Sequence, residues 1–352
     1  MPFGYSVYFS ERPRHRVVRW SPDSGDLEIV AGEPPDGAIS QKLADPYGLA
    51  FDRDGQLLIA DKFNHRICRL VNGRLEALTL RDVDRHRAKR HDSYPGYDPA
   101  IRCPTGLWSE PGGSFLCTFS DDYVICRIRP KGELELVLGI PRCRPYHFTG
   151  LREFVPPADV PNTPLDIPTG IVEHPDGTLF FIERKPQVVR EYHPKSGLRC
   201  LFPIRRQKEE VRKRKPPEEA QLSESYLGCP ASLALDAQQR LYVCDTWFGC
   251  VWRVELASKR VTNVLQFHDR NGFDPAGPVA LGFGPDGTAW VVDSVNGAVE
   301  AYDTTPMNGW RATGTRLTEI RGQPLLHYPS AGSSLLVGSH EARGVSPKSK
   351  GK

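Results

Sequence analysis

One spacing recurs five times along the chain and governs what it can fold into. Counted from Pro46, an apolar residue stands three places on (Leu49), glycine nine on (Gly55), an acid fifteen on (Asp61) and a β-branched residue twenty-one on (Ile67). In the same steps Pro104 leads to Leu107, Gly113, Phe119 and Ile125, and Pro168 to Ile171, Gly177, Glu183 and Val189. Pro230 leads to Leu233, Gln239, Asp245 and Val251, and Pro278 to Leu281, Gly287, Asp293 and Val299. The gaps between markers vary while the internal steps do not, so the module is rigid and its connectors are elastic. Within residues 46–70 the apolar runs Leu49–Phe51 and Leu57–Ala60 flank the turn Asp52-Arg53-Asp54-Gly55, and Phe63-Asn64-His65 leads into Ile67–Leu70. Glycine supplies positive φ at a turn and the preceding Asp bonds the local backbone, so each copy reads as antiparallel strands joined by hairpins.

Such a small sheet cannot bury both faces alone, so the copies must stack around a common axis. A sixth copy stands at the N-terminus, where Glu11 and Val17 keep the six-residue step behind the apolar run Val7–Phe9, but its first strand is missing. Residues 334–338 supply a late apolar run that can pair beside residues 5–10 and close a ring. The expected fold is all-β, a six-bladed β-propeller of four-stranded antiparallel blades closed by N- and C-terminal strands in one blade. Fourth, outer strands are expected at Leu27–Val30, Leu75–Leu80, Leu134–Leu138, Leu198–Phe202, Val261–Leu265 and Leu317–Ile320. Residues 216–226 alone hint at a helical turn.

The pattern Pro-x-Gly-(apolar), Asp-Gly-x-(apolar), Asp-x-x-Asn-His-Arg-Ile resembles the NHL repeat, and residues 61–67 (DKFNHRI) carry its nearest match. The connector of residues 30–46 also resembles the linker of bacterial NHL arrays. This resemblance covers residues 5–340 and implies the propeller fold. NHL-type propellers include protein-binding modules, RNA-binding modules and lyases, so the resemblance names no single chemistry. The peptidyl-hydroxyglycine lyases of this group carry zinc-binding histidines directly after the marker prolines. Those positions here are Tyr47, Thr105, Thr169, Ala231 and Val279, so that zinc site is not carried over. No match to the channel carboxylates and amides of gluconolactonase-like propellers is found either.

A chain of 352 residues is filled by one propeller, expected over residues 1–343, with residues 344–352 as a disordered basic tail. A formal charge of +3 implies no global polyelectrolyte partner. The opening MPFGYSVYFS has no basic n-region and no stretch approaches a membrane span, so no membrane association and a cytoplasmic location are expected. The nine cysteines are odd in number and fall mostly at strand positions for small apolar residues, so free thiols are expected. Cys117 and Cys126 lie on adjacent strands, as do Cys244 and Cys250.

The acids fifteen residues after each marker could ring a cation, but their recurrence favours a structural role, each ordering the next hairpin through backbone N–H groups or an arginine. Phe119 breaks the rule by drift or to admit an apolar ligand. Nucleophile, phosphate-loop and metalloprotease motifs are absent. No metal or cofactor is assigned, although Cys103 and Cys229 with His147, His268 or His327 form a weak soft-metal candidate. The most distinctive local chemistry is basic: residues 81–91, 141–148 and 205–215 are arginine- and lysine-rich connectors with aromatics nearby. They are expected on the face shared by the connectors and the turns between second and third strands.

The function expected from sequence is a binding scaffold for a protein or small anionic ligand. Its anchors would be Arg85, Arg87, Lys89, Arg90, Arg144, Arg205, Arg206 and Arg214, with Tyr94, Tyr146 and His147 as contacts. One alternative is a propeller lyase or hydrolase, with Tyr47, Thr105, Thr169, Cys103 and Cys229 lining the channel mouth. Another is single-stranded RNA binding, in which arginines hold phosphates while aromatics stack bases.

Overall fold

The computed structural model describes residues 3–33, 37–78, 80–82, 102–141, 143, 152–203, 217–267, 277–294, 296–305, 309–320, 322–325 and 335–338. Six sheets, each built on four antiparallel strands, form the blades of a β-propeller. Every marker proline opens an innermost strand: Pro46–Phe51, Pro104–Ser109, Pro168–Glu173, Pro230–Leu235 and Pro278–Phe283, in blades 2 to 6. Blade 1 takes its innermost strand from the far end of the chain. Leu335–Gly338 pairs antiparallel with Ser6–Glu11, Leu335 opposite Phe9 and Gly338 opposite Ser6. The two ends of the sequence therefore close one sheet.

The second strand of each blade is the most apolar because it is covered on both faces by neighbouring blades. Leu57–Asp61, Phe115–Phe119, Leu179–Glu183, Leu241–Asp245 and Ala289–Asp293 are buried at every position. Among the described residues the core divides into six clusters, one in each seam between adjacent blades. Neighbouring inner strands also approach closely. A Cβ on Gly48 would stand 2.1 Å from the Thr105 carbonyl oxygen in the next blade, so this place in the Pro-x-Gly pattern admits no side chain.

Two features depart from the sequence reading. The outer strand of blade 6 is Arg311–Leu317, not residues 317–320. It is a largely exposed, polar edge strand, and the nearby apolar run belongs to a separate two-stranded ribbon whose Ile320 is buried. Three blades also gain a short fifth strand from the connector preceding them: Arg81–Asp82, Phe154–Val155 and Glu219–Gln221. These cover the outer sheet edge, where unpaired N–H and C=O groups would otherwise lie open. The expected helical turn is a 3-10 turn at Leu222–Glu224.

Candidate functional site

The mouth of the channel is built by the turns that follow the recurring acids. Asp61 accepts from the Ala44 amide at 2.7 Å and pairs with Arg66 at 2.7 Å. Glu183 accepts from the Asp166 amide at 2.8 Å. Asp245 accepts four backbone N–H groups, those of Gly228, Cys229, Trp247 and Phe248, at 2.7, 2.9, 3.1 and 3.2 Å. Burial pushes the Asp245 carboxyl up, and these four donors pull it back. In blade 3 Phe119 is buried in the seam with blade 2, and Asp122 takes over by accepting the Arg102 amide. The structural reading of the acids holds.

Four residues after each acid position the chain turns into left-handed backbone, at His15, His65, Tyr123, Gln187, Gly249 and Gly297, with φ between 54° and 61°. The two histidines tie blade to blade. His15 Nδ1 accepts the Asp45 amide at 3.0 Å, and His65 Nδ1 accepts the Cys103 amide at 3.3 Å.

Directly after the acid position stand Arg12, Lys62, Ser120, Arg184, Thr246 and Ser294. The three hydroxyls are tied down: Ser120, Thr246 and Ser294 donate to the carbonyls of Cys103, Cys229 and Gly277 at 3.3, 3.1 and 2.9 Å. Two of the three cations lie over Tyr47, and the charge of the third reaches it. Arg12 lies over its ring at 4.4 Å and Lys62 at 5.3 Å from the centroid. Arg184 comes from blade 4, opposite blade 1 in a ring of six, and its charge also acts on the phenol. Burial raises the Tyr47 pKa, and the charges of Arg12 and Arg184 oppose the rise. The phenol therefore stays neutral between cations from both sides of the axis.

One carboxylate balances this group. Asp45 binds Arg12 through two bonds, 2.7 and 2.9 Å long, with Lys62 3.4 Å away. Burial pushes the Asp45 carboxyl up, but the Arg12 bonds and charge, helped by Lys62, carry it below the usual carboxylate range. Burial lowers the Lys62 pKa and Arg12 lowers it further, while Asp45 resists. Among the described residues Arg184 forms no ion pair. Among the described residues Asp45 is the carboxylate that pairs with Arg12 and Lys62, and Arg184 stays free to meet an anion at the mouth.

The sequence-named mouth residues divide by role. Thr105 is structural, its hydroxyl contacting Thr118 Oγ1 at 2.8 Å and the Pro168 carbonyl at 3.2 Å. Thr169 is buried. Cys103 donates its thiol to Asp121 Oδ2 at 3.1 Å, and His65 Nδ1 lies 3.6 Å from the sulfur. Burial and the Asp121 bond push the Cys103 thiol up to about 12, so it is no ready nucleophile. Burial also raises Cys229, against Thr246, Arg184 and Gln187. Among the described residues no group of three His, Cys, Asp or Glu converges as a metal site. The basic anchors Arg85, Arg87, Lys89, Arg90, Arg144, Arg205, Arg206 and Arg214, the contacts Tyr94, Tyr146 and His147, and the tail lie outside the described residues.

The sequence reading passed over Arg12, Lys62 and Arg184. Their signal was present in the repeat as a basic residue immediately after the acid in three of six copies.

Among solved structures the chain is similar to a chain of the nidogen/laminin complex, with a TM-score of 0.56, 16% identity, and 95% of this chain and 98% of that chain covered. It is similar to a gluconolactonase from Xanthomonas campestris, with a TM-score of 0.52, 14% identity, and 82% and 79% covered. It is also similar to virginiamycin B lyase from Staphylococcus aureus, with a TM-score of 0.46, 16% identity, and 76% and 68% covered. The first two likenesses carry the six-bladed propeller fold and no chemistry. No protein-family profile matches the chain, and no curated protein matches it. Among the described residues no helix is long and apolar enough to cross a membrane.

Proposed function

We propose that this chain is an NHL-type propeller that binds a small anionic ligand, a carboxylate or phosphate, at the channel mouth. The carrying observation is that Arg12 and Lys62 lie over the buried Tyr47 and share the Asp45 carboxylate, while the charge of Arg184 reaches the same phenol and Arg184 has no ion pair among the described residues. The protonated Cys103 and the commitment of the Ser120, Thr246 and Ser294 hydroxyls to backbone carbonyls favour binding over covalent chemistry. The basic connectors would extend the same positive field toward a larger acidic partner, including a protein.

Arg184 is the position to test, because its removal leaves no described carboxylate without its partner. A unit charge about 5 Å from an anion at an effective dielectric of about 20 contributes about 3 kcal/mol, and screening reduces this. Arg184→Ala should therefore weaken inorganic phosphate, measured by isothermal titration calorimetry, by about 10- to 100-fold. The salt dependence should flatten as well. Wild-type binding by this variant, or no phosphate binding by the parent protein, would refute the proposal.

A further inference from the structure

Beyond Tyr47 the channel widens into a chamber of about 370 Å³, walled by all six innermost strands. Its side chains are mainly apolar: Leu49, Leu107, Ile171, Leu233, Leu281 and Leu335 form one ring, one residue from each blade. No charged residue lines it, and its polar side-chain groups are the hydroxyls of Tyr47, Ser109 and Ser232 and the indole N–H of Trp108. The Ser109 hydroxyl donates to the Phe51 carbonyl, while Ser232 Oγ, half-buried, has no partner among the described residues. Trp108, also half-buried, packs against the seams on both sides of blade 4.

Exposure along the wall shows where the chamber opens. At the mouth end Tyr47 is 3% exposed and Ala231 4%. At the far end Phe51, Ser109, Leu235, Phe283 and Val337 are half-buried. The opening therefore lies on the face of the turns between first and second strands, opposite the cationic mouth.

We propose that this chamber is a second binding site, separate from the anion site, for an uncharged and largely apolar molecule carrying one hydrogen-bonding oxygen. The volume lies in the range of about 300–1,000 Å³ usual for small-molecule sites. A charged guest would leave water for a wall without counter-charge, a transfer costing several kcal/mol. Arg12, Lys62 and Arg184 do not line the chamber, so none of them pairs directly with a guest inside it. A guest of this class buries its rings against Trp108 and the leucine ring, and its oxygen meets Ser232.

The test uses the full chain and N-phenyl-1-naphthylamine, a neutral fluorophore whose emission rises on leaving water. A saturable rise at one probe per chain is expected, with displacement by 1-naphthol at least tenfold better than by 1-naphthoate. Filling the chamber with Ser232→Leu should weaken the probe by at least about tenfold. Should that variant fail to fold, Ser232→Ala reads the anchor alone, weakening 1-naphthol about 3- to 10-fold and leaving the probe unchanged. Arg184→Ala should leave probe affinity unchanged. Absence of a saturable rise, equal competition by 1-naphthoate, or probe loss in Arg184→Ala would overturn the proposal. Phosphate titration of the same protein fails or succeeds independently, so the two sites are judged apart.

Discussion

Asp245→Asn isolates what holds the mouth of blade 5 together. The carboxylate is fully buried, with Oδ2 accepting from Gly228 and Oδ1 accepting from Cys229, Trp247 and Phe248. An asparagine that keeps its carbonyl at the Oδ1 position retains three acceptor contacts but turns an N–H₂ against the Gly228 amide. Bonds to a charged acceptor contribute about 1.5–3 kcal/mol and neutral ones about 0.5–1.5, so three weakened bonds lose about 3 kcal/mol. The orphaned Gly228 donor adds about 1–3 kcal/mol. Relief from burying a charge offsets part of this, as the raised carboxyl pKa indicates. The expected net loss is about 2–4 kcal/mol. Urea titration followed by tryptophan fluorescence should show a lower midpoint with an unchanged slope. A loss below about 1 kcal/mol would refute the claim that this side chain, rather than the surrounding packing, orders the connector.

Two further outcomes follow from the mouth chemistry. Because burial and Asp121 hold the Cys103 thiol protonated up to about 12, iodoacetamide at neutral pH should leave it unlabelled in the folded protein. Peptide mass spectrometry showing its rapid alkylation would contradict the assigned environment. Asp45 is held below the carboxylate range, so its pairing with Arg12 stabilises the fold above the ordinary carboxylate pKa of about 4 and is lost as pH falls through the lowered value. Asp45→Asn should therefore flatten the acid limb of a stability–pH profile, and a profile parallel to that of the parent would count against the pair.

The recurring step from proline to acid made the blade count legible, because turn glycines, apolar runs and the ring acids all obey one period. The closing strand was legible too, since Leu335–Gly338 was an apolar run with no other partner. The blade 6 outer strand was not, because Arg311–Leu317 is a polar edge whose pairing leaves little hydrophobic trace. The short fifth strands were hidden for a related reason: two or three residues on a sheet edge show no period. At the site, attention to charge density led to the connectors. The cations that meet around Tyr47 come from blades 1, 2 and 4, and only the ring places them side by side. Tyr47 itself was named as a mouth residue from its place after the marker. Its role beneath two cations required the turns of blades 1 and 2 to be in position.

The pairing of Leu335–Gly338 with Ser6–Glu11 has a consequence for how the molecule is made. A ribosome emits the N-terminal strand first and its partner more than 300 residues later. At about 5–20 residues per second, the inner edge of the first blade waits roughly 15–60 s for its ladder. During that interval it presents open amides and carbonyls beside the apolar Val7 and Phe9, the conditions under which strands of different chains join. Newly made chains should therefore be most vulnerable to aggregation just before Leu335–Gly338 emerges, and loss of that strand would prolong the hazard for the lifetime of the molecule.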